Sequence, residues 1–150
     1  MSSRYDLSNE VEAESVVLRH DLIEIQIVGN VLCVKLKNVW TKNFVEQVNV
    51  RTQQLVSTIN HQPWAAYIDI RDWIMPSIEA LEGFQRIYDW CAQNNQSHET
   101  TVCRFDTQKQ IIGDVSSYAA EYHYFTQKSS EAVFWLNKQG FEFELPENFK

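Results

Sequence analysis

Three charged residues at the end of the apolar run at 64–70 are the first candidates for chemistry: Asp69, Arg71 and Asp72. A carboxylate at a strand end could transfer a proton, but an adjacent guanidinium keeps Asp69 ionised and makes it a poor proton acceptor. The alternative is structural, with Asp69 accepting backbone N–H groups and holding the next loop. Because no nucleophile with a base at a recognisable spacing accompanies the cluster, the sequence does not favour acyl transfer.

The four histidines are His20, His61, His98 and His123. None lies at a helical i, i+4 spacing from a second metal ligand, so the sequence does not predict a metal site. His123 is the histidine that an enzyme could use, and an ordinary loop histidine is the alternative. Since the sequence also lacks a Gly-rich phosphate-binding loop, we expect no cofactor.

A run of three large apolar residues falls in the loop predicted after residue 70: Trp73, Ile74 and Met75. These side chains either cap the open end of the core or form an apolar surface for a ligand or partner. Ser77 lies in the first turn of the next predicted helix, where its hydroxyl can accept a hydrogen bond from a backbone N–H. The predicted binding residues are Asp72, Trp73, Ile74, Met75 and Ser77.

The composition describes one acidic domain. The chain has 150 residues, 44% of them hydrophobic, with a formal net charge of −7 and a pI of about 5.0. An acidic surface repels nucleic acid and anionic membranes, so we expect neither as a partner. The sequence contains no leader-like start and no run near the roughly 20 apolar residues of a membrane span, which predicts a cytoplasmic protein. Three widely spaced cysteines are expected to be buried free thiols: Cys33, Cys91 and Cys103.

The periodicity predicts a polar arm at 1–18 and one domain at 19–150. Alternating residues on both sides of Gly29 and Asn30 predict an antiparallel β-hairpin with a type II′ turn. The expected elements that follow are a helix from Thr41 to about Asn60, a strand at 64–70, a helix from Pro76 to Asn94, a strand at 100–105, a helix that Thr107 caps, a strand at 123–125 and a last helix that ends at Gly140. This order predicts a single-domain α/β fold with a mixed five-stranded sheet.

The order of elements, with a hairpin followed by βαβαβα, resembles the STAS fold of the anti-sigma-factor antagonists. It more closely resembles the SpoIIAA-like, or STAS-like, family of small stand-alone bacterial proteins. The resemblance spans residues 22–140, and its most specific part is the C-terminal unit with Tyr124-Phe125, Glu131-Ala132 and Trp135-Leu136. Because the SpoIIAA-like branch has no established activity, the resemblance implies the fold more firmly than a function.

The antagonist branch also has a functional motif in the loop after its central strand. There an Asp-Ser pair is followed by Gly, and a partner kinase phosphorylates the Ser. The corresponding segment here is 72–78, so the resemblance implies Ser77 as a candidate phosphoacceptor. Pro76 stands in place of the Asp, and no Gly follows Ser77.

The hypothesis from the sequence is a non-enzymatic binding and regulatory module that acts by protein–protein interaction at the loop after the central strand. The alternative is a carrier or sensor of a small apolar ligand beneath that loop. A third interpretation is an enzyme that uses Asp69 or His123. The expected partner is thus a regulatory protein or a small apolar ligand, and the sequence also allows a homodimer.

Overall fold

The computed structural model describes residues 18–74, 76–116 and 118–150, so the predicted arm before Leu18 and the predicted site residue Met75 lie outside the described residues. Five strands and four α-helices are formed in the described ranges. They are β1 (Ile23–Val28), β2 (Val31–Asn38), α1 (Lys42–Val56), β3 (Trp64–Trp73), α2 (Ile78–Gln93), β4 (Gln96–Val102), α3 (Asp106–Val115), β5 (His123–Thr126) and α4 (Ser129–Lys138).

The five strands form one mixed sheet in the order β1-β2-β3-β4-β5. β1 pairs with β2 antiparallel, and each later neighbour is parallel. Gly29 has φ +59° and Asn30 is not among the residues with positive φ, as a type II′ turn requires. The predicted α/β fold, with its hairpin followed by parallel units, is therefore confirmed.

The two faces of the sheet are covered by different layers. α1, α2 and α3 pack on one face, and α4 packs on the other together with the C-terminal segment 141–149. β3 lies between both layers, and its residues 64–70 are buried without interruption. This burial is why the central strand reads as a continuous apolar run. The three cysteines are buried free thiols, as expected.

Two strand boundaries differ from the prediction. β3 ends at Trp73 instead of Ile70, because Trp73 pairs with Asn38 of β2 and buries its ring. The predicted loop position of Trp73 is therefore wrong. β4 spans Gln96–Val102 instead of 100–105. The sequence did not predict its first residues as strand because they are polar, although two of them, Gln96 and Glu99, are buried.

At the starts of α1 and α2, hydroxyl side chains accept hydrogen bonds from backbone N–H groups. Thr41 caps α1 as predicted, since its hydroxyl accepts the Phe44 N–H at 3.3 Å. α2 begins one residue after Ser77, whose hydroxyl accepts the Ala80 N–H at 3.3 Å, so Pro76 is not in the helix. Among the described residues, no helix has the length and apolar character needed to cross a membrane.

The prediction that Thr107 caps α3 is wrong. α3 begins at Asp106 with Phe105 as its N-cap, which moves Thr107 inside the first turn. Gln108 takes over the capping, because its side-chain oxygen accepts the N–H groups of Arg104 at 2.7 Å and Phe105 at 3.0 Å. One amide oxygen thus satisfies two backbone donors at the start of α3.

Candidate functional site

The connections that follow β2, β3 and β4 meet at one edge of the sheet, called here the carboxyl edge. Parallel strands bring their carboxyl ends together, and in open α/β sheets ligands bind outside such ends. Two backbone hydrogen bonds join the connections after β2 and β3: Ile74 N to Asn38 O at 2.9 Å and Ser77 N to Trp40 O at 3.3 Å. The edge is therefore held by the backbone itself.

Trp73 belongs to the core beneath the carboxyl edge. Its residue is 2% exposed, and its ring lies 5.1 Å from that of Phe84 and 6.1 Å from that of Trp40, both edge to face. Contacts of this kind add to the stabilisation from burial. The sequence left two alternatives for Trp73, a cap on the core or part of a binding surface, and the structure supports the cap on the core. The prediction that Trp73 is a binding residue is therefore wrong, because its ring is buried and not available to a partner.

Gln108 is a residue of the carboxyl edge that the sequence reasoning missed. Its side-chain amide donates to the carbonyl oxygens of Ile70 at 2.8 Å and Trp73 at 3.0 Å, while its oxygen caps α3. One buried side chain thus joins the end of β3 to the start of α3. The signal in the sequence is a glutamine at the third position of a helix, where its side chain can reach back to the start of the helix. This signal was missed because the sequence analysis placed the helix cap at Thr107, two residues too late.

Asp69 has the structural role. The residue is 1% exposed, and its carboxylate accepts the Arg71 backbone N–H at 3.0 Å and both arms of the Arg71 guanidinium, at 3.1 and 2.8 Å. A bidentate pair of this kind fixes both side chains. Both carboxylate oxygens of Asp69 are therefore occupied by Arg71 of the same strand, and neither is available to a substrate.

The other two predicted polar residues of the edge are accessible. Asp72 is exposed and pairs with Arg104 at 3.2 Å, an ion pair that solvent screens. Ser77 is half-buried and uses its hydroxyl to cap α2. Phosphorylation of Ser77 stays a prediction.

Four large apolar side chains are exposed on the carboxyl edge, and we call them the edge patch: Val39, Ile74, Ile78 and Phe105. Their exposed fractions are 50, 61, 83 and 58%, respectively. Each lies on a connection after a strand or in the first turn of the helix that follows. Ile74 is thus accessible although its neighbour Trp73 is not, and a concentration of exposed apolar groups at one edge is typical of a binding surface.

Charged side chains of both signs accompany the edge patch. Glu79 and Asp106, in the first turns of α2 and α3, are exposed and favourably placed at the positive ends of their helices. Asp72 adds a third carboxylate, although Arg104 partly neutralises it. The cations are Lys42 at the start of α1, Arg104, and Arg19, which lines a groove together with Val39 and Ile74 and pairs with Asp21. The site therefore combines exposed apolar side chains with charged groups of both signs.

A second cluster that the sequence did not predict lies in the interior between β4 and α2. Glu99 is 1% exposed, and its carboxyl group accepts hydrogen bonds from Tyr88 Oη at 2.6 Å and Gln96 Nε2 at 3.1 Å. Burial raises the pKa of Glu99 to about 7 although these hydrogen bonds oppose the change. His123 lies 3.5 Å from Glu99, and burial lowers the pKa of its imidazole to about 4.

The alternatives to protein binding are a carrier of a small apolar ligand and an enzyme. A mostly apolar cavity of about 60 Å³ touches Glu99, Tyr88 and Gln96 on the face covered by α2, and it is too small for a drug-sized ligand, since such pockets are usually about 300–1,000 Å³. An open groove of about 570 Å³ lies at the carboxyl edge beside Val39 and Ile74, but polar and charged side chains such as Arg19 and Asp21 form much of its lining, which does not suit a purely apolar cargo. His123 is buried away from a substrate, and within the described ranges no three His, Cys, Asp or Glu side chains are grouped to hold a metal ion.

Solved structures share the fold, although the sequence matches no family model and no curated protein. An uncharacterised DUF3478 protein with a SpoIIAA-like fold from Shewanella loihica PV-4 superposes with a TM-score of 0.60 at 16% identity, covering 76% of this chain and 91% of that one. The unphosphorylated anti-sigma factor antagonist SpoIIAA gives a TM-score of 0.53 at 8% identity over 77% and 97%.

A third similar structure is an anti-sigma factor antagonist from Mycobacterium paratuberculosis. Its TM-score is 0.55 at 10% identity, and the match covers 81% of this chain and 99% of that one. The protein therefore has the SpoIIAA-like, STAS-type fold, which confirms the resemblance drawn from the order of its elements. At these identities the comparison establishes the fold alone.

Proposed function

We propose that the protein is a non-enzymatic regulatory module that binds a partner protein through the edge patch. The observation that carries this proposal is the exposure of four apolar side chains on an edge whose backbone is fixed by hydrogen bonds. Solvent-exposed apolar groups on a rigid scaffold are suited to recognition, because little conformational entropy is lost on binding. Two of the similar structures are named anti-sigma factor antagonists, which supports a regulatory protein as the partner.

The chemistry of the carboxyl edge specifies the partner surface. Ile74 and Ile78 would occupy apolar depressions of the partner, while the exposed carboxylates of Glu79 and Asp106, in the first turns of α2 and α3, favour lysine or arginine side chains nearby. Complementary charge mainly raises the association rate, and the apolar contacts supply most of the affinity. The proposal includes a cytoplasmic location, which the buried free thiols support.

The experiment immobilises the unchanged chain and, separately, a variant of the edge patch. The proteins that each captures from a lysate of the source organism's cells are then compared. The double substitution Ile74→Ser and Ile78→Ser removes apolar area from the centre of the patch. A partner identified with the unchanged chain is then purified and titrated against each variant by calorimetry. We expect the double variant to bind at least about tenfold more weakly, since apolar anchors at an interface commonly contribute 1 kcal/mol or more.

A matched control is available on the opposite face of the sheet. Phe134, in α4, is 62% exposed, so Phe134→Ser also removes an accessible apolar side chain. The control should bind the purified partner with unchanged affinity. Equal affinities for the unchanged chain and the Ile74/Ile78 variant, or a loss only in Phe134→Ser, would rule out the edge patch as the interface.

A further inference from the structure

A chain of hydrogen-bonding side chains runs from the interior under α2 toward the end of α3. Thr101 Oγ1 lies 3.3 Å from Glu99 Oε2 and 2.8 Å from His123 Nε2. On the other side of the ring, His123 Nδ1 lies 3.4 Å from Ser116 Oγ. Ser116 is half-buried at the end of α3, so the chain joins a fully buried carboxyl group to a residue that solvent contacts.

The groups around Glu99 come from each element packed against it. α2 contributes Tyr88 and Cys91, the segment before β5 contributes Tyr118, and β5 contributes His123. These groups are neutral near pH 7, because burial raises the pKa values of the two phenols and the thiol and lowers that of the imidazole. In the interior, an ionised carboxylate would therefore lack a permanent cation as compensation.

The heavy-atom positions show where the proton of a neutral Glu99 belongs. Both carboxyl oxygens accept a hydrogen bond, Oε1 from Gln96 Nε2 at 3.1 Å and Oε2 from Tyr88 Oη at 2.6 Å. Of the two, only Oε2 also lies beside Thr101 Oγ1, so Oε2 is the oxygen whose hydrogen the Thr101 hydroxyl can accept. The Oε2 hydroxyl can then donate to Thr101 Oγ1, and the Thr101 hydroxyl can donate to His123 Nε2. The remaining imidazole hydrogen lies on Nδ1 and faces Ser116 Oγ. Each donor has an acceptor, and no charge is buried.

We propose that Glu99 is a buried proton-binding site and that Thr101, His123 and Ser116 pass its proton to solvent. On release, Glu99 Oε2 gives its proton to Thr101 Oγ1, and the Thr101 hydroxyl gives its own to His123 Nε2. The proton on His123 Nδ1 then leaves to water beside Ser116. One proton leaves the protein, Glu99 becomes a carboxylate, and His123 changes from the Nδ1–H to the Nε2–H tautomer while remaining neutral.

The site has structural features that suit a reversible change of charge. The cavity of about 60 Å³ that touches Glu99 has room for water, which could hydrate the carboxylate after the proton leaves. Tyr88 donates to Glu99 from α2, so the proton alters a contact that fastens this helix to β4. The site is separate from the carboxyl edge and is independent of the proposed partner binding.

The test is an NMR titration of the whole chain between pH 4 and pH 9. The carboxyl carbon of Glu99 should titrate with a midpoint near 7, and the ring nitrogens of His123 should exchange tautomers at the same midpoint without forming imidazolium. A Glu99 midpoint below about 5, or an imidazolium at His123 at pH 6, would overturn the proton site. Because this measurement needs no substitution, it does not depend on whether a variant folds.

Variants then separate the site from the relay. Glu99→Gln keeps the shape of the neutral acid and should hold His123 in the Nδ1–H tautomer on both sides of the Glu99 midpoint near pH 7. Thr101→Val removes the connecting hydroxyl with little change in volume, so the His123 tautomer should no longer follow Glu99. The control Glu142→Gln changes an exposed glutamate and should leave the tautomer exchange as in the unchanged chain. Continued exchange in Thr101→Val would overturn the relay.

Discussion

The carboxyl edge and the interior under α2 depart from the usual separation of apolar and polar residues in opposite directions. At the edge, Ile74 and Ile78 are exposed, although both are large and apolar. In the interior, Glu99 and His123 are buried, although both can carry charge. α2 contacts both regions, because Ile78 is its first residue and Tyr88 donates to Glu99.

The two regions differ in how much free energy of folding their unusual residues cost. An exposed isoleucine has a small cost in water and can contribute to binding when a partner covers it. A buried carboxyl group is tolerated only if its hydrogen bonds are made and its charge is suppressed. Substitutions at the edge should therefore change binding with little effect on stability, while substitutions in the interior should change stability and its dependence on pH.

The largest expected effect tests the boundary between the two regions. Trp73 is adjacent to the edge patch in sequence but belongs to the aromatic core. Trp73→Ala should lower the free energy of unfolding by about 3–5 kcal/mol, as truncation of a buried aromatic does. Chemical denaturation measures this loss, and Trp73→Phe is the control that keeps a ring and should lose much less. A loss in Trp73→Ala below about 1 kcal/mol would return the residue to the binding surface.

The next effect concerns the pH dependence of stability. The pKa of Glu99 is raised from 4.5 to about 7 on folding, so the folded state holds a proton that the unfolded state releases. This contribution is fully present below pH 4.5 and is lost as the pH rises to 7. It amounts to about 3 kcal/mol, since one pKa unit corresponds to about 1.4 kcal/mol. The difference in unfolding free energy between the unchanged chain and Glu99→Gln should fall by this amount over that range.

His123 conceals most of this effect in the unchanged chain. Its pKa is lowered from 6.5 to about 4, so its contribution is present above pH 6.5 and is lost as the pH falls to 4. Between pH 4.5 and 6.5 the two contributions cancel, because the folded pair moves one proton from His123 to Glu99 without binding another. Glu99→Gln should consequently gain about 3 kcal/mol in unfolding free energy from pH 4 to 6.5. A constant difference between the two proteins over pH 4–7 would contradict this balance.

A smaller effect is expected at the start of α3. Gln108→Ala removes two hydrogen bonds to β3 carbonyls and the cap of α3, which should lower the unfolding free energy by about 2 kcal/mol, as expected for orphaned buried groups. Thr107→Ala is the matched neighbour, and it should change stability by less than about 0.5 kcal/mol because Thr107 is not the cap. A larger loss for Thr107→Ala than for Gln108→Ala would restore the predicted Thr107 cap.

The elements that the sequence predicted well are those in which local chemistry and periodicity agree. The hairpin at Gly29 and the cap at Thr41 depend on a few neighbouring residues, and both are confirmed. The antiparallel pairing of β1 with β2 was also predicted and is confirmed. Local pattern was sufficient because each of these features has short-range causes.

The errors occurred where contacts from distant segments decide the structure. Trp73 was assigned to a loop because Arg71 and Asp72 are polar, but Phe84 and Trp40 surround its ring. The interior site was missed because Glu99 lies within the polar run 96–101, which does not look like a buried strand, and because its partner His123 is 24 residues away. A single sequence contains no sign that a polar residue will find buried partners so far along the chain.

The smallest stability effect is also the one that distinguishes the edge most clearly. Ile78 is 83% exposed at the first position of α2, and the Ser77 cap remains when Ile78 is changed. Ile78→Ser should therefore alter the unfolding free energy by less than about 0.5 kcal/mol, as is usual for surface substitutions. Chemical denaturation of Ile78→Ser and Trp73→Ala should therefore give the smallest and the largest loss of unfolding free energy, although the two residues are only five positions apart. A loss above about 1 kcal/mol in Ile78→Ser would mean that this side chain packs on the protein itself, and the edge patch would then lose its most exposed member as a surface for a partner.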